Sequence, residues 1–408
     1  MKCGESLRPR LGRDFALLWQ GYAFSAAGNL LYSIAIGIWV YDNTGSAALM
    51  GILSAISYLA SFFLQPFAGV LADLLDKRLL IVAADGVRGI LMLLLGLAAL
   101  NGHLAVWEVL AVAGAAALCN VCFVPAAFSA LSLIVPGREL MRAQSLIQGT
   151  ASVIRLIGNA ASGALVLWLG VPPMILLNGI CFLLSALSEL FIRIPKSGQA
   201  QPAGLRDLLA GFADGFCYLR QLRGVVIAIL AGAAVNLFCG GFSGVVYVWC
   251  LDKGMSLPQY GFFLGAESGA ALAGALVLSA FPPPPSIRAH LFVLAYLVQT
   301  FFGIAAMAAP GFLLSAVLYG ISAFFNSVTN MMLLPALLQI ILPAYRGRAV
   351  ALFSALSDGG MALSMLLYGL LADRFGVLSV AFGGALFALL PAISFCTNRA
   401  LLDALGQE

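Results

Sequence analysis

Three ionisable residues stand deep inside long apolar runs: Arg155, Glu267 and Asp358. A charge held at membrane depth costs several kcal/mol, so such residues are usually kept for a task. A carboxyl group there can exchange a proton with the pathway it faces. A guanidinium there either tunes such an acid or holds an anionic group of a ligand. Each lies about 13 or 14 residues from the basic end of its run, roughly 20 Å deep at the α-helical rise. From this shared depth, Arg155 and Glu267 are expected to pair, with Glu267 or Asp358 as the proton-exchanging acid. The plain alternative is a structural ion pair that locks the runs together. Asn29, Asn236, Asn326 and Asn330 also fall mid-run, with Tyr22, Tyr32, Asn120, Phe123, Phe238 and Phe325. Together they read as an uncharged lining of aromatics and amides, suited to an amphipathic molecule of moderate size; each alone reads equally as packing. Asn29 cannot titrate, so proton exchange has to sit elsewhere.

The elements that must position these residues follow from composition. The chain has 408 residues, 62% hydrophobic and only 9% charged, against about 25% charged in a soluble domain. It cannot cover a water-facing surface, and the net charge of +4 is no sign of nucleic-acid binding. The hydropathy pattern predicts twelve transmembrane helices over 14–41, 47–73, 79–100, 104–135, 142–169, 171–194, 223–251, 257–281, 288–308, 310–342, 345–372 and 376–398. The stretch 195–222 is the one real linker. Its Leu205, Leu208, Leu209, Phe212, Phe216 and Leu219 recur at helical spacing, the pattern of an amphipathic helix on a membrane surface. It divides the chain into 1–194 and 223–408. With the N-terminus inside, 17 Lys and Arg fall in inner segments against Lys253 and Arg374 outside, so both termini are expected in the cytoplasm. Met1–Arg13 is short, basic and without an apolar core, unlike a cleavable signal peptide. Cys119-Asn-Val-Cys122 has no second pair and no His nearby, and the chain has two His in all, so no metal site or other cofactor is expected.

The two parts repeat at an offset of 206: Arg142-Ala143 falls on Arg348-Ala349, Leu146 on Leu352, Gly163 on Gly369, and Gly170-Val171 on Gly376-Val377. Between the second and third predicted helices lies Gly69-Val-Leu-Ala-Asp73-Leu-Leu-Asp76-Lys77-Arg78. With the six-plus-six division, this loop resembles that of major facilitator superfamily transporters. Trp39-Val-Tyr-Asp42, Ala84-Asp85-Gly-Val-Arg88, Tyr260-Gly261 and Gly369-Leu-Leu-Ala-Asp373-Arg-Phe-Gly376 are similar to the bacterial macrolide-efflux and siderophore-exporter branch. Arg155-Leu-Ile-Gly158-Asn159-Ala-Ala-Ser162-Gly163 partly resembles the Gly-Pro element of its exporters, with Asn159 in place of Pro.

The resemblance implies an all-α membrane protein of two pseudo-symmetric six-helix halves, with substrate bound between them. It implies a cytoplasmic gate at Gly69, Asp73, Lys77 and Arg78. In that gate Gly69 allows close helix approach, and Asp73 meets a neighbouring helix N-terminus. Leu74 stands where the family often has Arg. Asp85 and Arg88, at i,i+3, read as a local pair supporting the gate. The expected protein is a monomeric, multi-pass carrier in the bacterial inner membrane. It would export a small amphipathic compound, a drug or a siderophore, by proton-coupled antiport and alternating access. The other readings are uptake or flipping of a nutrient or lysophospholipid, and, from another class, a membrane receptor or enzyme.

Overall fold

The computed structural model describes residues 11–195 and 217–405, apart from the side chains of Pro66, Val70, Ala72, Asp73, Leu74 and Ala344. The first six helices are α1 (Arg13–Thr44), α2 (Ala47–Leu74), α3 (Lys77–Leu100), α4 (Val106–Ile134), α5 (Gly137–Leu169) and α6 (Val171–Glu189). After the linker follow α7 (Arg223–Cys239), α8 (Phe242–Asp252), α9 (Leu257–Ala280), α10 (Pro285–Ala308), α11 (Phe312–Ile340) and α12 (Arg346–Phe375). The last helices are α13 (Val377–Phe387), α14 (Leu389–Thr397) and a short α15 (Arg399–Leu405). Counting α7 with α8 and α13 with α14, twelve helices among the described residues are long and apolar enough to cross a membrane, as the hydropathy pattern predicts. Large apolar side chains such as Leu94, Phe128, Ile157, Leu276 and Phe301 cover the outside, where lipid is their solvent. The linker's expected amphipathic helix, from Leu205 to Leu219, falls mainly outside the described residues, which resume at Cys217.

Two spans predicted as continuous are broken. In the seventh, Gly240-Gly241 separates α7 from α8. A backbone group freed inside a membrane must find a partner, and α12 supplies two. The Gly241 N–H donates to Ser364 Oγ at 2.7 Å, and the Tyr368 hydroxyl donates to the Phe238 carbonyl at 2.5 Å. In the twelfth, Pro391 has no N–H to continue the helix from Phe387. The chain breaks at Ala388, whose carbonyl accepts from the Tyr296 hydroxyl at 2.8 Å.

Helices α1–α6 pack on one another, as do α7–α14, and the main contacts between the two sets are α2 with α12 and α5 with α9. One buried apolar cluster joins both sets, running from Ile36, Val40 and Met50 to Trp249, Tyr260 and Tyr368. It lies at the end where α1 turns into α2, called here the tied end. Towards the opposite end, marked by Lys77, Arg138, Arg288 and Arg346 and called the basic end, the clusters separate. Two belong to the first set and one to the second.

The α5–α9 contact runs backbone against backbone. A methyl group on Gly163 would overlap the Leu257 carbonyl, and one on Gly261 would lie 2.6 Å from the Gly163 nitrogen. Overpacking typically costs about 1–3 kcal/mol. Gly163→Val is therefore expected to lower the thermal unfolding midpoint of the purified protein, and an unchanged midpoint would contradict this packing.

Candidate functional site

Two cavities flank the broken seventh span. The first, about 640 Å³, is bounded by α1–α5 and closed by residues of α8, α9 and α12. The second, about 300 Å³, lies among α7–α13. Phe242 faces the second cavity, Gly244 the first, and Ser243 borders both. The start of α8 is thus a wall between them. The lining of the first cavity is graded. Ile36, Met50, Leu53 and Met365 lie towards the tied end, and Tyr22, Asn29, Asn120 and Arg155 lie nearer the middle and the basic end.

The three mid-run charges do not meet. Arg155 lines the first cavity, with Ser152 Oγ at 3.5 Å as its partner. Glu267 lines the second, where Asn236, Tyr319, Tyr368 and Asn326 also stand. The expected Arg155–Glu267 pair is absent among the described residues, for an angular reason. The face of α9 that meets α5 carries Gly261, Gly265 and Ser268, and Asn159 Nδ2 donates to Ser268 Oγ at 2.8 Å. Each helical residue turns by about 100°, which carries Glu267 off that face and into the second cavity. Asp358 lines neither cavity; it is half-buried and within electrostatic reach of Tyr58. Asn29 lines the first cavity, and Asn236 and Asn326 the second. Asn330, expected in the lining, borders neither: it is exposed and donates to the Asn326 backbone and side-chain oxygens at 2.9 and 3.0 Å. Arg155 and Glu267, expected to pair at one depth, instead line two different cavities.

The i,i+3 pair Asp85–Arg88 forms, and it is fully packed inside the first helix set. Asp85 is 0% and Arg88 3% exposed. The guanidinium bonds Asp85 Oδ1, donates to Asn120 Oδ1 at 3.3 Å, and sits 4.8 and 4.5 Å from the Phe123 and Phe182 ring centres. Ser25 donates to Asp85 Oδ2 at 2.8 Å. Sequence reasoning missed Glu189 at the end of α6. It is 1% exposed, bonded to Ser185 at 3.3 Å, with Oε2 lacking a hydrogen-bond partner among the described residues. The signal for it was present, a single acid closing an apolar run.

At the tied end the two helix sets are stitched together by Asp373. Its carboxylate accepts from Ser46 Oγ at 2.8 Å and from the backbone N–H groups of Ala47 and Ala48 at 2.7 and 3.1 Å. It therefore caps α2 from the far end of α12, where an anion also meets the helix dipole. Tyr247 donates to Asp42 close by, at 3.1 Å. In the turn before α9, Lys253 reaches the Ala309 carbonyl past the end of α10 and lies over the Trp249 ring; burial pushes its ammonium below the usual lysine range. Gly369-Leu-Leu-Ala-Asp373 has the spacing of Gly69-Val-Leu-Ala-Asp73, which was the sequence signal for this cap. Removing an N-cap carboxylate costs about 0.5–2 kcal/mol. Asp373→Ala is expected to increase labelling of a cysteine placed at Ser46 by a membrane-impermeant thiol reagent. Labelling no faster than in the parent would contradict this role.

At the basic end, no hydrogen bond between the two sets is found among the described residues. Among the described residues, a methyl group on Gly69 would meet nothing within 4 Å. Arg78 instead bonds the Leu190 carbonyl just past α6, and Asp76 caps α3 through Leu79 N at 3.0 Å. Lys77 opens α3, and the side chain of Asp73 lies outside the described residues.

A sequence profile described as the Major Facilitator Superfamily matches residues 18–365. Macrolide efflux protein A of Streptococcus pyogenes is 23% identical over 371 residues, covering 89% of this chain and 90% of its own. Multidrug resistance protein MdtG of Proteus mirabilis is 23% identical over 390 residues, with 92% and 94% covered. Among solved structures, an inward-facing, unoccupied bacterial homolog of the human lysosomal transporter Spinster superposes with a TM-score of 0.78 at 16% identity, covering 98% of this chain and 99% of that one. The nucleoside transporter NupG gives 0.70 at 12% identity, with 95% and 98% covered.

Proposed function

Because the chain belongs to the Major Facilitator Superfamily, we propose that this multi-pass membrane transporter is a proton-coupled exporter of small amphipathic compounds. It works by antiport in the bacterial cytoplasmic membrane. The observation that carries the coupling is Glu267. This carboxyl group lines the second cavity and has no ion-pair partner among the described residues. An acid so placed has a route for a proton and no fixed counter-charge to hold it ionised. Export is supported by the efflux names of relatives aligned over nearly the whole chain, and cytoplasmic termini by the 17-to-2 distribution of Lys and Arg.

In this reading the two halves, 1–194 and 223–408, rock about the wall between the cavities. The state in hand is closed at Asp373 on the outer side and faces inward. When the carrier turns outward, Gly69, Asp73, Lys77 and Arg78 close the inner side, with Asp85 and Arg88 bracing α3 behind them. Asn29 and Arg155 attend the solute, while Asn236 and Asn326 flank the proton site.

Reconstitution into proteoliposomes tests this. An imposed pH gradient is expected to drive an amphipathic solute towards the acidic side, with proton flux in the opposite direction. Solute exchange that ignores the gradient would remove proton coupling, and accumulation on the alkaline side would make the protein an importer.

A further inference from the structure

The first cavity has a charge imbalance that points to the chemistry of its ligand. Two cations line it, Arg88 and Arg155, and no carboxylate does among the described residues. Arg88 is neutralised by Asp85. Arg155 is not: it is exposed, with one hydroxyl at the 3.5 Å limit of a hydrogen bond as its partner. It therefore presents a full guanidinium to an otherwise neutral chamber of amides, hydroxyls and apolar side chains. Glu267, the acid expected to satisfy it, is turned into the other compartment.

We infer that the transported compound is an amphipathic anion. Its carboxylate, or an equivalent planar oxyanion, is held by Arg155, and its apolar body lies towards Ile36, Met50 and Leu53 at the tied end. This rests on the reading of the first cavity as the solute site. A guanidinium pairs a carboxylate through two parallel N–H donors, a geometry that a neutral amide or an amine cannot supply. A cationic solute would meet an uncompensated like charge. A neutral one can accept a hydrogen bond from Arg155 but leaves its charge uncompensated, a weaker contact than a charge-assisted pair. The graded lining fixes the orientation, since the apolar end is closed by the Asp373 contacts and the charged residue lies nearer the basic end. A volume of about 640 Å³ is in the range that takes a drug-sized molecule.

Direction of charge movement follows. A proton moving in while a monovalent anion moves out carries two positive charges inward per one-for-one cycle. The cycle is then driven by an inside-negative potential as well as by the pH gradient. A neutral solute would carry one, and a monovalent cation none.

The test uses the purified full-length protein and matched triplets of ligands that differ only in the head group: an arylalkyl carboxylate, its primary amide and the corresponding primary amine, on phenyl, naphthyl and steroid bodies. Binding is read from the shift of the thermal unfolding midpoint. The carboxylate member is expected to give the largest shift. Arg155→Gln should weaken it by about 10- to 100-fold, the value of one charged hydrogen-bonding group, and Arg155→Lys by less. Because Arg155 has so little holding it in place, Arg155→Gln is expected to unfold at the parent's temperature without ligand, which separates lost binding from lost folding. No preference for the carboxylate in any triplet, or equal carboxylate binding by Arg155→Gln, overturns the inference. Carboxylate binding that depends on Arg155 without pH-gradient-driven movement in proteoliposomes would leave the anion site standing and remove the proton-coupled reading.

Discussion

Glu267→Gln is expected to abolish solute accumulation driven by a pH gradient while leaving solute exchange between the two faces of the membrane intact. Glutamine keeps the volume of the side chain and can hydrogen-bond within the second cavity, but it cannot take up or release a proton. A carrier lacking its titrating group still cycles when solute occupies both sides, because the rocking motion needs no net proton movement. The split between lost accumulation and kept counterflow therefore separates a coupling residue from a structural one. A structural residue would fail in both assays, or in neither. Asp358→Asn supplies the comparison. Asp358 lines neither cavity, and coupling should survive its replacement. If Glu267→Gln accumulates solute as the parent does and Asp358→Asn does not, the proton site moves to α12.

Arg88→Met is expected to cost most of the folded protein, and Arg88→Met with Asp85→Asn to recover much of it. Asp85 is fully buried. Without the guanidinium, its carboxylate keeps the Ser25 hydroxyl, and Glu189 is a second buried acid within electrostatic reach of it. Breaking a buried ion pair from one side costs about 3–5 kcal/mol, whereas replacing both partners with neutral groups of similar size is often close to neutral. The recovery distinguishes an uncompensated charge from lost packing, since the double variant still lacks the contacts of Arg88 with Phe123 and Phe182. The measurement is the fraction of monodisperse protein in detergent extracts together with its unfolding midpoint. A double variant no better than Arg88→Met would assign the role of Arg88 to those ring contacts.

Hydropathy made the spans legible because a membrane helix needs about 20 apolar residues, and the connections between the runs are short and polar or Gly-containing. The Asp85–Arg88 pair was legible for a similar reason: i,i+3 neighbours meet on any helix. The Arg155–Glu267 pairing failed because depth is one coordinate and azimuth another. Without knowing which stripe of α9 faces α5, two residues at one level read as partners. The break at Gly240-Gly241 is decided by Ser364 and Tyr368, more than a hundred positions away, so a local reading sees only a Gly pair in an apolar run. Asp373 was quoted as part of a family pattern, yet its role depends on the start of α2, which lies 325 to 327 positions away. Where spacing along one helix fixes a contact, sequence reasoning reached it; where two distant helices fix it, the pattern alone did not.

The wall at Gly240–Ser243 bears on inhibition. If the proton and the solute use separate compartments as proposed, a compound lodged between Asn236 and Asn326 would not compete with solute for space. It would slow turnover and leave half-saturation unchanged, whereas one lodged at Arg155 would be outcompeted at high solute concentration. The two kinds of blocker should also be additive, since each leaves the other's compartment empty. Resistance substitutions to one would then leave sensitivity to the other untouched.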